Sequence, residues 1–360
     1  MQVTLYPNHP AEGSHSMDRY ANALQAALQP VIPPGWEVTM PLPPSPWPGI
    51  YGQILARLLW YPLWARNQQG SLNHVIDHSY GHLLFALDLE RTIVTIHDVA
   101  PLRFPGRRLG LSGLAWRWAW RGVQRARHVI VNSTFTAGEA RQHLPAAPET
   151  LQVIPMAVSS HFQVLPPEKQ VGTRHRFCPE GGWLLLHVGH AQPRKNISNL
   201  LRALALVRKQ GLPATLVQVG GQPTPSQQEL VQELALESVV HFVGGCSNQE
   251  LALLYNAADL FVFPSLYEGF GMPALEAMAC GTPVVTSNVT SLPEVVGDAA
   301  LLADPRSPEA IAGAIVRLLT EPDLAAGLRQ RGLARARLFT WQRTAEETLR
   351  VYRRVLEESA

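Results

Sequence analysis

Seven short apolar runs constrain this chain more than any other feature: "RTIVTIH", "HVIVNS", "GWLLLHVG", "ATLVQVG", "VVHFVG", "DLFVFPS" and "TPVVTS". They are rich in β-branched residues, and none alternates apolar with polar. A sheet with one wet face would show that alternation; a parallel sheet covered on both faces does not. Between the runs, the apolar spacing changes to that of helices. "ISNLLRALALVRKQ" stops at Gly211, and "NQELALLYNAA" follows "GGCS". Strand, loop and helix repeated in this way predict an α/β chain with doubly wound parallel sheets.

At 360 residues the chain exceeds one typical core, so two domains are expected. The polar stretch from about Ser159 to Gly182, with two adjacent prolines and no periodicity, is the expected junction. It divides the chain into an N-terminal Rossmann-like domain over 1–170 and a C-terminal one over 171–340. Residues 341–360 read as a helix able to pack on either half, including back on the N-terminal domain. No apolar run reaches the roughly 18 residues a membrane span needs. The N-terminus lacks a basic segment followed by an apolar one, so no signal peptide is expected. Cys178, Cys246 and Cys280 lie far apart and suit a reducing cytoplasm rather than a disulfide frame or a zinc site.

The net charge of +2 divides into +3 over 1–170 and −1 over 171–360. Seven arginines and no acid lie between Asp98 and Glu139, together with Trp116, Trp118 and Trp120. Nucleic acid is disfavoured, because the rest of the chain is not basic and no binding module is present. On a helix from Leu111, Arg117, Arg121 and Arg125 share one stripe. That stripe reads either as a face for anionic lipid or as a solvated face with tryptophans turned inward.

In open parallel sheets, ligands bind beyond the carboxyl ends of the strands. Those ends hold the unusual residues here: His97 and Asp98, Asn132 and Ser133, the "GHAQPRKN" segment from Gly189, "SLYEGFG", and "NVTSLPE". Two halves decorated at that edge imply a cleft. Arg194 and Lys195 precede a helix beginning near Ile197, whose free N–H groups and positive dipole end favour an anion. The alternative is two solvated charges, although Lys195 is one of only three lysines against 27 arginines.

The stretch "FPSLYEGFGMPALEAMACGTPVV" places Glu268 in a Gly-rich loop and Glu276 in a helix, with seven residues between them. Gly269 and Gly271 let backbone approach a ligand closely, Pro273 suits a first helical turn, and Gly281 suits its end. For Glu276, the helix dipole alone would favour an acid in the first turn; Glu268 has no such account. Neither glutamate has a metal-type neighbour, so no metal and no cofactor are expected.

Taken in order along the chain, these segments resemble the retaining glycosyltransferases of family 4, also called group 1, which have the two-Rossmann GT-B fold. The Glu-x7-Glu element is the most specific part of the match. By residue, the resemblance implies that Arg194 and Lys195 hold the diphosphate of a nucleotide sugar. Glu276 accepts ribose hydroxyls, and Glu268 grips hydroxyls of the transferred sugar. Backbone from Gly269 through Phe270 and Gly271 to Met272 adds contacts, and the base lies near Val243 and Gly244. His97 meets the sugar or the acceptor. The two carboxylates are then arms on one donor rather than an acid/base pair, which would flank a single bond. The mechanism implied is same-face substitution with retained anomeric configuration.

Many family members have a paired-glycine loop after the first strand. This chain has only Gly13 there, with Ser14 or Ser16 as substitutes. "VIDHSYGHLL" adds Asp77, His78, Tyr80 and His82 as acceptor-side candidates, beside Asp98, Asn132 and Ser133; at least one histidine there is expected to be structural. The resemblance of "TIHDVAPLRFP" to bacterial mannosyltransferases favours GDP-mannose over a UDP-sugar, with a glycan or lipid-linked acceptor. The alternatives are a GT-B epimerase or hydrolase of nucleotide sugars, and a nucleotide-sugar-binding protein without catalysis. The expected setting is the cytoplasm, with peripheral contact at the membrane if the arginine stripe binds lipid.

Overall fold

The computed structural model describes residues 1–10, 15–44, 49–104, 111–144 and 150–359. Contacts divide the chain into two units, Met1–Ala157 with Thr340–Ala360, and Val158–Phe339.

The first unit is built on a six-stranded parallel sheet of β1 (Gln2–Tyr6), β2 (Glu37–Thr39), β3 (Leu72–Val75), β4 (Thr92–Ile96), β5 (His128–Val131) and β6 (Leu151–Val153), in the order β2-β1-β3-β4-β5-β6. β3, β4 and β5 are buried at every position, as their unalternating sequences require. The last helix, Trp341–Glu358, belongs to this unit. It turns Ala345, Leu349, Tyr352 and Val355 into a cluster with Leu5, Leu24, Leu28, Leu72, Ile93 and Ile130. Each such aliphatic side chain contributes about 1.5–3 kcal/mol by leaving water.

The second unit is built on another six-stranded parallel sheet: β7 (Trp183–Val188), β8 (Ala214–Val219), β9 (Val240–Val243), β10 (Leu260–Phe263), β11 (Val284–Ser287) and β12 (Leu301–Ala303). Their order is β12-β11-β10-β7-β8-β9. The chain winds outward from β7 to β9, then returns to lay β10 on the other side of β7. That reversal makes a switch point between β7 and β10, the place where such sheets bind ligands.

The polar stretch expected as a junction is instead part of the second unit, which begins at Val158. Its helix, Pro167–Phe177, looks unstructured in sequence because only Phe177 is buried. Polar contacts hold the segment in place. Leu165 N–H donates to Asn256 Oδ1 at 2.8 Å, and Arg174 pairs with Asp259 at 2.9 Å. Among the described residues, no helix is long and apolar enough to cross a membrane.

Candidate active site

The loops leaving β7 and β10 open side by side at the switch point and are tied together. Leu266 N–H donates to the Arg194 carbonyl at 2.7 Å. Asn196 Nδ2 donates to the carbonyls of Pro264 (2.9 Å) and Pro305 (2.6 Å). Asn196 has φ 61°, a left-handed conformation that asparagine tolerates, and the helix Ile197–Lys209 follows at once.

This junction brings Arg194 and Lys195 onto Glu268. Lys195 Nζ donates to Glu268 Oε1 at 2.7 Å, and Arg194 Nη1 donates to Oε2 at 3.2 Å and to the Tyr267 carbonyl at 3.3 Å. Lys195 Nζ also lies 4.8 Å from the centre of the Phe263 ring, a cation–π distance. Gly189 makes room for the lysine stem: a Cβ there would sit 3.1 Å from Lys195 Cδ. Lys195 and Glu268 are each 7% exposed. Burial alone would raise the Glu268 carboxyl, but the charges of Lys195 and Arg194 outweigh it and hold it below the usual carboxylate range. Two cations so placed are able to hold a further anion. Beneath them His187 is fully buried and donates from Nδ1 to the Val262 carbonyl at 2.9 Å. Burial pushes its imidazole down to about 4, so it adds no third positive charge at neutral pH.

The Gly-rich loop owes its shape to two features. Gly271 has φ 110° and caps the helix Met272–Ala279, with Pro273 in the first turn. A Cβ on Gly271 would meet Leu292 Cδ2 at 2.6 Å. The loop backbone is also held from behind. Ser291 Oγ donates to the carbonyls of Glu268 (3.0 Å) and Phe270 (2.9 Å), and Thr290 Oγ1 accepts the Glu268 N–H at 3.4 Å. Thr290 has φ 62°. For a β-branched residue that strain costs on the order of 1–3 kcal/mol.

Glu276 lies past the first turn of its helix, so the dipole at the helix start does not explain it. It is buried, and the fully buried Tyr255 donates its hydroxyl to Glu276 Oε2 at 2.9 Å. No sequence signal marks Tyr255, because an aromatic inside "NQELALLYNAA" reads as core. Val243 ends β9, and its carbonyl accepts the Gly220 N–H at 3.1 Å. Gly220 (φ 115°) in turn approaches Gly189 so closely that a Cβ would sit 2.9 Å from its backbone. Gly244 has open space around it. The segment 189–195, Val243, Glu268 and the loop to Met272 thus all sit at the carboxyl edge of one sheet, while Glu276 follows in the helix.

The first unit gathers its polar residues around Asp77. That carboxylate accepts from Asn8 Nδ2 (3.0 Å), Ser79 N–H (2.9 Å) and Ser79 Oγ (2.7 Å), and lies 3.2 Å from His78 Nδ1. Burial would raise it, but the His78 and His97 rings and the Ser79 bonds bring it down to about 2. His97 is more enclosed than a cleft residue is expected to be, at 7% exposed. Its ring meets Tyr20 edge-on at 4.8 Å, and Nε2–H donates to the Ile76 carbonyl at 2.9 Å. Burial lowers its pKa, so the neutral ring keeps a lone pair on Nδ1, which has no hydrogen-bond partner among the described residues. Such an atom is able to accept a hydrogen bond.

Asn132 Nδ2 donates to the His97 carbonyl at 2.8 Å. Ser133 caps the helix Thr134–His143 by accepting Thr136 N–H at 3.0 Å, and Asp98 accepts Ala100 N–H at 2.9 Å. Local turn chemistry therefore accounts for Ser133 and Asp98. Tyr80 and His82 do not reach solvent, contrary to the acceptor-side expectation. Tyr80 lies 4.5 Å under the Arg57 guanidinium, and His82 stacks on Trp118 at 5.3 Å. The helix Leu111–Val123 covers them, packing so tightly that a Cβ on Gly122 would collide with the Gly81 carbonyl. Gly13 and Ser14 lie outside the described residues; Ser16 falls in the helix His15–Leu28. Among the described residues, no group of three or more His, Cys, Asp or Glu side chains is placed to hold a metal.

Comparison with known proteins shows the family. The family model "Glycosyl transferases group 1" matches residues 174–335, and "Glycosyltransferase Family 4" matches residues 10–162. The O-antigen chain mannosyltransferase B of Escherichia coli is 32% identical over 320 residues, covering 84% of this chain and 83% of that protein. The fold is shared with a sucrose-phosphate synthase from Thermosynechococcus elongatus (TM-score 0.80, 24% identity, 99% of both chains). It is shared too with Anabaena HepE, solved in complex with UDP and glucose (TM-score 0.76, 20% identity, 97% of this chain and 98% of that one). Fold and family models together define a glycosyltransferase of the GT-B class. The chain belongs to glycosyltransferase family 4, group 1.

Proposed function

We propose that this glycosyltransferase moves a hexose from a nucleoside-diphosphate sugar to a glycan or glycolipid hydroxyl, with retention, and that GDP-mannose is the preferred donor. The observation that carries the reading is the cluster of Arg194, Lys195 and Glu268 at the β7/β10 switch point. One guanidinium and one ammonium with a carboxylate suit a diphosphate beside a polyhydroxyl ring. Glu276, oriented by Tyr255, is the proposed acceptor for ribose hydroxyls. The name of the mannosyltransferase relative supports the donor sugar; a UDP-sugar is the second reading, supported by the UDP-bound neighbour.

In the reaction, the acceptor oxygen bonds to the anomeric carbon on the face from which the phosphate leaves. The anomeric carbon–oxygen bond breaks, and the leaving phosphate oxygen takes the acceptor proton. Arg194 and Lys195 stabilise the developing charge, each by about 2–4 kcal/mol. Side chains supply that charge, so the reading requires no metal. Incubation with GDP-mannose or UDP-sugars, with and without an acceptor, tests it. Nucleotide release that needs an acceptor, with an α-linked product from an α-linked donor, is expected. Release to water alone would indicate a hydrolase, and an inverted product would exclude retention.

Peripheral membrane contact belongs to the same proposal. On the helix Leu111–Val123 and just beyond it, Arg117, Arg121 and Arg125 are exposed and Leu114 is 61% exposed, while Trp120 is buried. The helical stretch 49–66 packs on the same segment, His78–Phe85, and exposes Leu55, Leu59 and Leu63 at four-residue intervals. Arginines beside exposed leucines are the composition an anionic lipid surface recognises.

A further inference from the structure

We infer that Thr290 and Ser291 are positioning residues that hold the Glu268 loop in its working shape. This rests on the proposed role of Glu268 in gripping the sugar. Ser291 Oγ is fully buried and shares its hydrogen between the carbonyls of Glu268 and Phe270, at 3.0 and 2.9 Å. Thr290 Oγ1 faces the Glu268 N–H at 3.4 Å. Glu268 is therefore held on both sides of its own Cα, at its N–H and at its carbonyl, by two consecutive hydroxyls. With those two atoms fixed, the carboxylate is directed at Lys195 Nζ and Arg194 Nη1.

Thr290 makes its contact from φ 62°, where a β-branched residue is an outlier. Glycine would adopt that backbone freely. Folding alone does not favour threonine here; the hydroxyl facing the loop does. Strain of this kind persists where the surroundings over-determine a functional geometry. Ser291 is followed by Leu292, whose side chain fills the space that a Cβ on Gly271 would need. Three consecutive residues thus brace the loop from Glu268 to Gly271.

The test compares Thr290→Gly, Thr290→Ser and Ser291→Ala with Glu268→Gln. Amide hydrogen exchange across 266–272 should be at least tenfold faster in Thr290→Gly and Ser291→Ala, with wild-type rates in β7, β8 and β10. Thr290→Gly should melt at the same temperature as wild type or higher, yet turn over at least tenfold more slowly. Thr290→Ser, which keeps the hydroxyl, should exchange and turn over like wild type. Unchanged exchange at 266–272 in both disrupted variants would overturn the inference. So would a Thr290→Gly protein that melts several degrees lower, because the threonine would then serve folding. Retained turnover in Thr290→Gly, where Glu268→Gln loses it, would overturn the positioning role as well. Faster exchange with undiminished turnover in Glu268→Gln would leave the clamp standing and sink the sugar-gripping role of Glu268.

Discussion

Replacing Glu268 by glutamine keeps its size and removes a carboxylate charge that faces Arg194 and Lys195. Arg194 keeps a quarter of its side-chain surface in water, whereas Lys195 keeps 9%. The loss therefore falls mainly on the lysine. Removing one partner of a buried ion pair costs about 3–5 kcal/mol, because the remaining charge is left uncompensated. In a unit of this size that corresponds to a melting temperature lower by roughly 6–20 °C. A nucleoside diphosphate restores the missing negative charge. It should then bind Glu268→Gln at least tenfold more tightly than wild type, about 1.4 kcal/mol, and raise its melting temperature further. Scanning calorimetry with and without GDP or UDP, followed by isothermal titration, measures both quantities. An unchanged melting temperature, or weaker diphosphate binding in the variant, would refute the view that Glu268 and the diphosphate compete for the same cations.

Glu276→Gln should raise the KM for the donor and weaken free nucleoside diphosphate by a similar factor while turnover holds, the pattern for lost uniform binding. A fall in turnover with unchanged KM would contradict it. Stability should decline on acidification from pH 6.5 towards 4, because burial holds the His74 imidazole at about 3 and that of His187 at about 4. In that window the unfolded chain binds protons that the folded chain refuses, so each histidine contributes a slope of about 1.4 kcal/mol per pH unit, levelling off near its folded pKa. Urea titrations at pH 7, 6 and 5 that gave equal stabilities would disprove this. Wild type should bind anionic liposomes in a salt-sensitive way, and the Arg117/Arg121/Arg125→Ala variant should bind them less. Equal binding to neutral and anionic liposomes would discard the membrane contact.

The seven apolar runs all became strands, because burial on both faces leaves a mark that local sequence carries. β2, β6 and β12 have three residues each and carry no such mark. β3, "LNHV", hides behind Asn73 and His74, which hydrogen bonds satisfy inside the sheet: His74 bridges Tyr352 and Thr95 at 2.7 Å each. Glu276, inside a helix, was legible only through the family resemblance, whereas Arg194, Lys195 and Glu268 were legible as candidates because charges in loops at strand ends are unusual. Their mutual contact was not, since Lys195 and Glu268 are 73 residues apart and meet only through the reversal of strand order. Tyr255 has no mark in its local sequence, and although Thr290 and Ser291 lie in the polar strand end "NVTSLPE", nothing there tells that their hydroxyls face the Glu268 loop. His97, Tyr80 and His82 were placed nearer to solvent than they are, because polarity at a strand end says nothing of what covers it.

The central claim is that Arg194 and Lys195 form a diphosphate site, and one calorimetric series tests it most directly. Wild type and Arg194→Ala are titrated with GDP and GMP, and with UDP and UMP. Arg194 is partly exposed, so its removal should leave the fold intact. Wild type should bind the matching diphosphate at least tenfold more tightly than its monophosphate, and Arg194→Ala should lose most of that preference. Equal binding of mono- and diphosphate by wild type, or an unaltered preference in Arg194→Ala, would contradict the account.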